Sequence, residues 1–197
     1  MRLRPPLRRP GNIVCMAVNH MEDGTRAAPA SLNAFHKAPG AIIGDGDTMG
    51  LPDVPATIFE GEAEPAVVIG RPAKRVAAAE VADPHRLSMR LWINGEIKQD
   101  FNTSDMAHPI PRCIAWMNAI HTLQPGDLLA TGTNHRGLSA FMDGDRVELE
   151  GEGLGRLRIG VRDDPRRVWA RETRLDRQDQ GFDTPTPQVS GRYAPGA

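Results

Sequence analysis

Alternating apolar and polar positions in the middle of the chain predict a β-hairpin. Residues 88–93 place Met89, Leu91 and Ile93 on one face of an extended strand. Asn94 and Gly95 follow directly, and this pair supplies the two positive φ angles that a type I′ turn requires. Residues 96–101 are therefore expected to return antiparallel to the first strand.

The same alternation predicts a second hairpin nearer the end of the chain. Val147 and Leu149 alternate with charged residues, residues 153–155 offer a glycine-rich turn, and apolar side chains alternate again over 157–161. The two hairpins together indicate a fold dominated by antiparallel β-structure.

One segment has the periodicity of an amphipathic α-helix instead. Its apolar positions share one helical face: Ile110, Cys113, Ile114, Met117 and Ile120. Pro111 is tolerated in a first helical turn, and Pro125 lies beyond the expected end. This helix is expected to cover a sheet.

Length and tail composition indicate one domain. A chain of 197 residues can bury one sizeable core. Residues 1–10 are rich in Arg and Pro and predict a disordered leader, residues 11–177 the single domain, and residues 178–197, rich in Pro, Gly and polar side chains, a disordered tail.

Charge and cysteine content narrow the range of partners. With 24 Lys and Arg against 25 Asp and Glu, no general field attracts nucleic acid or an anionic membrane, and neither is expected as a partner. Cys15 and Cys113 lie among apolar neighbours, which favours free buried thiols and a cytoplasmic location.

Glu62 and Glu64 are the candidate metal ligands. They precede the apolar run 66–69, and residues two apart on an extended segment face the same side, about 7 Å apart. Mg²⁺ and Mn²⁺ are commonly held by one or two carboxylates with water and substrate oxygens. Two solvated glutamates on an exposed strand edge would produce the same pattern.

Several segments in order resemble the fumarylacetoacetate hydrolase family. They are residues 11–19, 35–39 with 42–44, 62–70, 91–96, 123–133 and 143–150. The resemblance implies an α+β, mostly β fold: a mixed β-roll or sandwich of the fumarylacetoacetate hydrolase type with few covering helices. It also implies a divalent cation, Mg²⁺ or Mn²⁺, on Glu62 and Glu64, a substrate-side lysine at Lys37, and a homodimer.

Two departures from this family pattern bear on activity. The family carries a further metal-binding aspartate and a substrate-facing lysine between the Glu-x-Glu segment and the Asn-Gly hairpin. Here residues 76–85 run almost directly into that hairpin, so this stretch is expected to be deleted and the domain shortened near residues 80–88. The family's water-activating histidine and glutamate correspond in position to Asp23 and Arg26, so this pair is absent and His20 is out of register.

Two polar loops offer further candidate groups. His20 and Asp23 follow the first apolar strand and suit general acid–base work, although a solvated loop would have the same sequence. Residues 131–137 follow the strand 128–130, and Thr133 and Arg136 in this loop suit recognition of a small anion. Lys37 and Arg136 are the candidates for binding a substrate carboxylate.

The resemblance implies a metal-dependent enzyme that acts on small 2-oxo acids, acylpyruvates or other dicarbonyl compounds. In such an enzyme the cation stabilises an enolate formed from the substrate. The same enolate can arise in a hydrolase that cleaves a carbon–carbon bond, in an isomerase or in a decarboxylase, and the sequence does not distinguish these three reactions. The alternative is a catalytically impaired family subunit or fragment with an oligomerisation or binding role.

Overall fold

The computed structural model describes residues 5, 7, 9–70 and 83–195. Over these residues the chain forms short strands and two α-helices. The strands are β1 Ile13–Met16, β2 Ala34–Lys37, β3 Thr48–Gly50, β4 Ala66–Val68, β5 Ser88–Ile93, β6 Glu96–Asn102, β7 Leu128–Ala130, β8 Arg146–Gly151, β9 Gly155–Arg162, β10 Val168–Trp169 and β11 Gln188–Ser190. The helices are α1 Ile110–Ile120 and α2 Arg174–Asp179.

The strands form two main sheets. A four-stranded sheet has the order β2-β1-β7-β4, and a five-stranded sheet has the order β3-β9-β8-β5-β6. β1 pairs with β7 and β3 pairs with β9 in parallel, whereas the other pairings are antiparallel. The expected mixed, mostly β fold with few helices is confirmed.

Both predicted hairpins lie in the five-stranded sheet. β5 and β6 are joined by Asn94 and Gly95, whose φ angles of 54° and 85° are those of the predicted turn. β8 and β9 pair from Arg146 opposite Gly160 to Gly151 opposite Gly155. Local alternation and turn chemistry were therefore sufficient to predict this part of the fold.

Helix α1 covers the four-stranded sheet, as its apolar face predicts. Ile110, Cys113 and Met117 pack with Val14 and Leu129 from the two central strands in one hydrophobic core. Cys15 and Cys113 are both free and buried. This core fixes the ends of β1 and β7, and the loops that follow these strands carry most of the candidate site residues.

A buried ion pair anchors the segment that leads to the Glu-x-Glu motif. Arg167 and Asp163 are both inaccessible to solvent, with Nη2 of the guanidinium 2.5 Å from Oδ1 of the carboxylate. The same guanidinium donates to the backbone carbonyls of Val54 at 2.7 Å and Pro52 at 2.9 Å. Trp169 donates its indole N–H to the carbonyl of Thr57 at 2.7 Å, so two side chains hold residues 52–57.

The structure describes little of the first ten residues but most of the C-terminal segment. Most of the expected leader, residues 1–10, lies outside the described residues. Residues 178–195 differ from the disordered tail that composition predicts, because β11 pairs with β10 and Tyr193 donates to Asp53 at 2.8 Å. No helix in the described part of the chain is long and apolar enough to cross a membrane.

Candidate metal and substrate site

Glu62 and Glu64 face the same side because the residue between them is buried. Ala63 is inaccessible to solvent in the core of the five-stranded sheet and donates its backbone N–H to Oε1 of Gln99 at 3.0 Å. Gly61 packs so closely on the ring of Phe141 that an added Cβ would lie 1.7 Å from it. The extended segment before β4 is thus fixed by its inward residues, and the two glutamates point away from this core together.

Lys37 joins these two carboxylates. Its ammonium Nζ lies 3.6 Å from Oε1 of Glu64 and 4.0 Å from Oε2 of Glu62. Burial opposes protonation of Lys37, but the negative charge of Glu64 raises its pKa above the ordinary value, so the ammonium stays charged. The structure therefore brings together three of the residues that the sequence nominated.

Glu64 is the more deeply placed of the two carboxylates. Its side chain is 10% exposed, against 33% for Glu62. Oε2 of Glu64 accepts the backbone N–H of Gly132 at 2.7 Å. Burial raises the pKa of the Glu64 carboxyl, and the neighbouring Glu62 charge raises it further, while Lys37 opposes the shift. A cation at this place would relieve both unfavourable effects.

The donor chemistry of this pair fits a hard divalent cation in part. Two converging carboxylates are the protein contribution that Mg²⁺ and Mn²⁺ commonly receive, with water and substrate oxygens as the remaining ligands. Across residues 9–70 and 83–195, no group of three or more His, Cys, Asp or Glu side chains comes together as a complete metal cluster. Glu62 and Glu64 would hold such an ion. Most of the stretch 76–85, in which the family's further metal-binding aspartate has no counterpart, lies outside the described residues.

An apolar cavity of about 400 Å³ opens beside this cluster. Lys37, Glu60 and Glu62 contribute its polar side, and side chains such as Leu91 and Phe141 line the rest. A cavity with a few converging charged groups on an otherwise apolar wall is the usual form of a small-molecule site. Its size suits a compound of a few carbon atoms whose charged end meets Lys37.

The loop after β7 connects this cluster to the loop after β1. Gly132, at a φ of 89°, contacts Glu64, and an added Cβ there would lie 3.0 Å from Cβ of Asn19. Thr133 is buried, and its hydroxyl accepts from Nε2 of Gln99 at 2.9 Å. Thr133 therefore supports the loop from inside the fold, whereas the side chain of Arg136 lies at the surface and is 30% exposed.

His20 lies in the interior. It is inaccessible to solvent, its ring meets Phe101 edge-on at 5.1 Å, and its Nδ1 lies 3.4 Å from Oδ2 of Asp105. Neither ring nitrogen completes a hydrogen bond to the described residues. Burial lowers the pKa of His20, so it remains neutral at pH 7. His20 lines neither the cavity beside Lys37 nor the one described below.

Asp23 pairs with Arg136 and does not join the glutamates. Nη1 of Arg136 donates to Oδ2 of Asp23 at 3.1 Å, and this aspartate is 48% exposed. Both Glu22 and Asp23 have positive φ angles, of 54° and 56°. The resulting turn directs the loop after β1 toward the loop after β7, which separates Asp23 from His20.

A histidine–carboxylate pair that the sequence did not predict joins the two polar loops that it had singled out. Oε1 of Glu22 lies 2.6 Å from Nδ1 of His135, and Oε2 accepts the backbone N–H of His135 at 2.8 Å. The partners are 113 positions apart in the chain, and neither stands in a recognisable motif. They meet because both follow strands whose ends lie together in the parallel pairing of β1 with β7.

Comparisons with known proteins agree with this architecture. The family profile "Fumarylacetoacetate (FAA) hydrolase C-terminal" matches residues 12–83 and 76–162. The chain is 30% identical to the 4-hydroxyphenylacetate degradation bifunctional isomerase/decarboxylase of Salmonella dublin over 203 residues, covering 77% of this chain and 47% of that protein. The chain thus spans about half the length of that curated relative.

Two solved structures share the fold. A 5-carboxymethyl-2-hydroxymuconate delta-isomerase from Mycobacterium smegmatis superposes with a TM-score of 0.73 at 27% identity, covering 83% of this chain and 82% of its own. Maleylpyruvate hydrolase from Sphingobium sp. SYK-6, in complex with manganese(II) and pyruvate, gives a TM-score of 0.71 at 29% identity, covering 82% and 74%. The profile match and these shared folds show that the chain belongs to the fumarylacetoacetate hydrolase family.

Proposed function

We propose that this chain is a metal-dependent enzyme acting on small 2-oxo acids or acylpyruvate-like dicarbonyl compounds. Its reaction is the hydrolysis of a carbon–carbon bond or the related isomerisation or decarboxylation. The observation that carries the proposal is the convergence of Lys37, Glu62 and Glu64 beside a cavity of about 400 Å³. This arrangement offers an ammonium for a substrate carboxylate and two carboxylates for a hard cation.

The chain's own residues have separable tasks in this proposal. Glu62 and Glu64 hold Mg²⁺ or Mn²⁺, which when bound supplies Lewis-acid stabilisation of the enolate charge. Lys37 binds the carboxylate of the substrate and orients it, and Arg136 offers a guanidinium for a second anionic group. Gly132 fixes the direction of Glu64, and apolar side chains line most of the cavity.

Known relatives support both the cation and the substrate class. The maleylpyruvate hydrolase structure contains manganese and pyruvate, a divalent cation and a 2-oxo acid. The Salmonella relative is an isomerase and decarboxylase, so this family supports more than one outcome from related chemistry. Because enolate stabilisation is common to hydrolysis, isomerisation and decarboxylation, the activity screen covers all three reactions.

A second candidate function is a catalytically impaired subunit with a binding or oligomerisation role. One observation favours it. The alignment with the Salmonella relative is 203 residues long but covers only 77% of this 197-residue chain. Within the aligned region, the relative therefore has residues that this chain lacks. The family profile also matches in two segments that overlap at residues 76–83. This second observation supports a shortening at that point, between the Glu-x-Glu segment and the Asn-Gly hairpin.

The deciding experiment is an activity screen with a matched variant. Acylpyruvates and oxaloacetate are followed spectrophotometrically with Mg²⁺ or Mn²⁺, after chelation by EDTA, and in Glu64→Gln, with Glu96→Gln on the β5–β6 hairpin as control. We expect turnover that needs the cation, falls at least tenfold in Glu64→Gln, and is unchanged in Glu96→Gln. Turnover that persists after chelation would reject the metal-dependent mechanism. A folded protein without turnover on any of these compounds would support the impaired subunit.

A further inference from the structure

A second cavity, of about 450 Å³, lies where the loops after β1 and β7 meet helix α2. Its lining includes the Glu22–His135 pair together with three guanidinium groups, those of Arg26, Arg136 and Arg174. This cavity combines groups that bind anions with an imidazole held by a carboxylate, which is more than loop packing requires.

Glu22 holds the ring of His135 in one orientation. The carboxylate is 6% exposed, and its two oxygens bind the backbone N–H and the ring Nδ1 of the same histidine. Such two-point attachment fixes both the backbone and the ring. A histidine whose Nδ1 is bound to a carboxylate is oriented for proton transfer at its other nitrogen.

The protonation state follows from the surroundings of Glu22. Burial opposes its ionisation, but the hydrogen bonds and charge of His135, with the Arg26 charge 3.7 Å away, lower the pKa of Glu22 below its ordinary value. An ionised carboxylate can only accept hydrogen bonds, so Nδ1 of His135 carries the proton. Nε2 then has a free lone pair, and it makes no hydrogen bond to the described residues.

The two cavities are neighbours. Arg174 binds Glu60 through Nε at 3.0 Å, and its charge also acts on Glu62 and Glu22. The loop after β7 contacts Glu64 through Gly132 and carries His135 three residues later. The Glu60–Arg174 contact therefore joins the two cavities, because Glu60 lines the first and Arg174 lines the second.

We infer that His135, positioned by Glu22, is the proton-transfer group of the proposed active site. The inference rests on the proposed function and deepens it. Nε2 takes a proton from C3 of a bound 2-oxo acid: the C3–H electron pair forms the C2–C3 double bond, and the carbonyl π pair moves to oxygen. Glu22 stabilises the resulting imidazolium. Return of this proton to oxygen gives the enol, and its return to carbon restores the ketone.

The test is exchange of the methyl protons of pyruvate in D₂O, followed by ¹H NMR with Mg²⁺ present. It measures proton abstraction without requiring a complete reaction. The variants are His135→Gln and Glu22→Gln, and His36→Gln is the matched control because His36 is exposed on β2. Calorimetric binding of oxalate, which has no exchangeable carbon-bound proton, reports separately on ligand binding. Melting temperatures report on folding.

We expect His135→Gln to slow exchange at least hundredfold, the range of general base catalysis, while oxalate affinity changes less than about threefold. In Glu22→Gln the exchange rate falls about tenfold and the pH–rate profile moves toward lower pH, because the charge that stabilises the imidazolium is lost. The other charges facing the ring, Arg26, Arg136 and Arg174, are the same in both variants, and Asp23 remains paired with Arg136.

Three results would contradict the inference, and they separate its failure from that of the proposed function. If His135→Gln exchanges the protons as fast as the wild-type protein, only the role of His135 is overturned. Oxalate binding without any exchange also rejects the proton-transfer role and leaves the ligand class standing. If the wild-type protein shows neither exchange nor oxalate binding, the proposed function itself is overturned. If one variant fails to fold, the other decides, since each must slow exchange while oxalate affinity is kept.

Discussion

Gly132 donates its backbone N–H to Oε2 of Glu64 over 2.7 Å, while Oε1 of the same carboxylate faces Lys37. One oxygen thus accepts a hydrogen bond from the backbone of a loop, and the other faces the ammonium of a side chain. A cation that binds this carboxylate must compete with the ammonium but not with the loop. The first two predictions follow from this difference.

The first prediction concerns the two glutamates. Wild-type protein is expected to bind Mn²⁺ at a saturable site in a calorimetric titration, and Glu62→Ala or Glu64→Gln should weaken it at least tenfold, because each carboxylate supplies a full charge and an oxygen donor. Glu96→Gln serves as the control. Absence of saturable binding, or binding that both variants leave unchanged, contradicts the assignment.

The second prediction concerns Lys37. In Lys37→Met the competing ammonium is gone and the two carboxylates repel each other, so Mn²⁺ affinity should rise about tenfold, a modest part of the charge–charge energy at this distance. Oxalate affinity in the presence of Mn²⁺ should fall instead. Opposite changes for the ion and the anion, measured on one preparation, distinguish competition from general damage. A parallel loss of both would reject the competition.

The third prediction is a pH dependence of stability through Glu22. Its pKa in the folded chain lies below the ordinary 4.5, so its stabilising contribution is complete above about pH 4.5 and is lost as the pH falls through the folded value. Glu22→Gln should lower the free energy of unfolding by about 1.5–3 kcal/mol at pH 7. The deficit should shrink toward pH 3. Urea denaturation at several pH values checks this, with the exposed Asp164→Asn as control; a deficit that grows on acidification contradicts it.

The fourth prediction concerns the buried Arg167–Asp163 pair. Arg167→Leu leaves an uncompensated buried carboxylate and should lower the free energy of unfolding by about 3–5 kcal/mol in urea denaturation. The exposed pair of Arg162 and Asp164 provides the contrast, since Arg162→Leu should cost less than about 1 kcal/mol. Equal effects of the two variants would show that Arg167 is not the anchor.

The fifth prediction is that the chain forms a homodimer. β2 and β4 are the edge strands of the four-stranded sheet, and Phe35 and Val68 on these strands are 45% and 44% exposed. Exposed apolar side chains on unpaired edges favour association. Light scattering at tens of micromolar should report a dimer that Val68→Lys weakens and Val189→Lys on β11 does not. A stable monomer would reject the prediction.

The hairpins and the helix were predictable because their signals are local. Alternation around Leu91, the Asn94–Gly95 turn and the helical spacing of Ile110 and Met117 each act over a few residues. The shared direction of Glu62 and Glu64 followed from the same two-residue period. These parts of the fold depend little on what the rest of the chain does.

The grouping of charged side chains in the second cavity was not predictable. Glu22 and His135 meet because β1 and β7 are parallel neighbours, a relationship that no local pattern encodes. His20 had the expected chemistry for a base, but it is buried and its ring meets Phe101 edge-on. Which titratable group of this loop reaches a cavity is decided by tertiary packing, which the residue type alone does not give.

The anchor at Arg167 has a consequence for engineering this chain. Its guanidinium fixes Pro52 and Val54, and the backbone continues from there to Glu60 and the metal-ligand candidates. Libraries that diversify only the walls of a cavity would leave this position out, and methods that rank residues by distance to a ligand would score it as neutral. If Arg167 is kept, the cavity walls can be redesigned for another substrate while the two carboxylates stay in place. If Arg167 is varied, the cavity walls and the carboxylates would shift together.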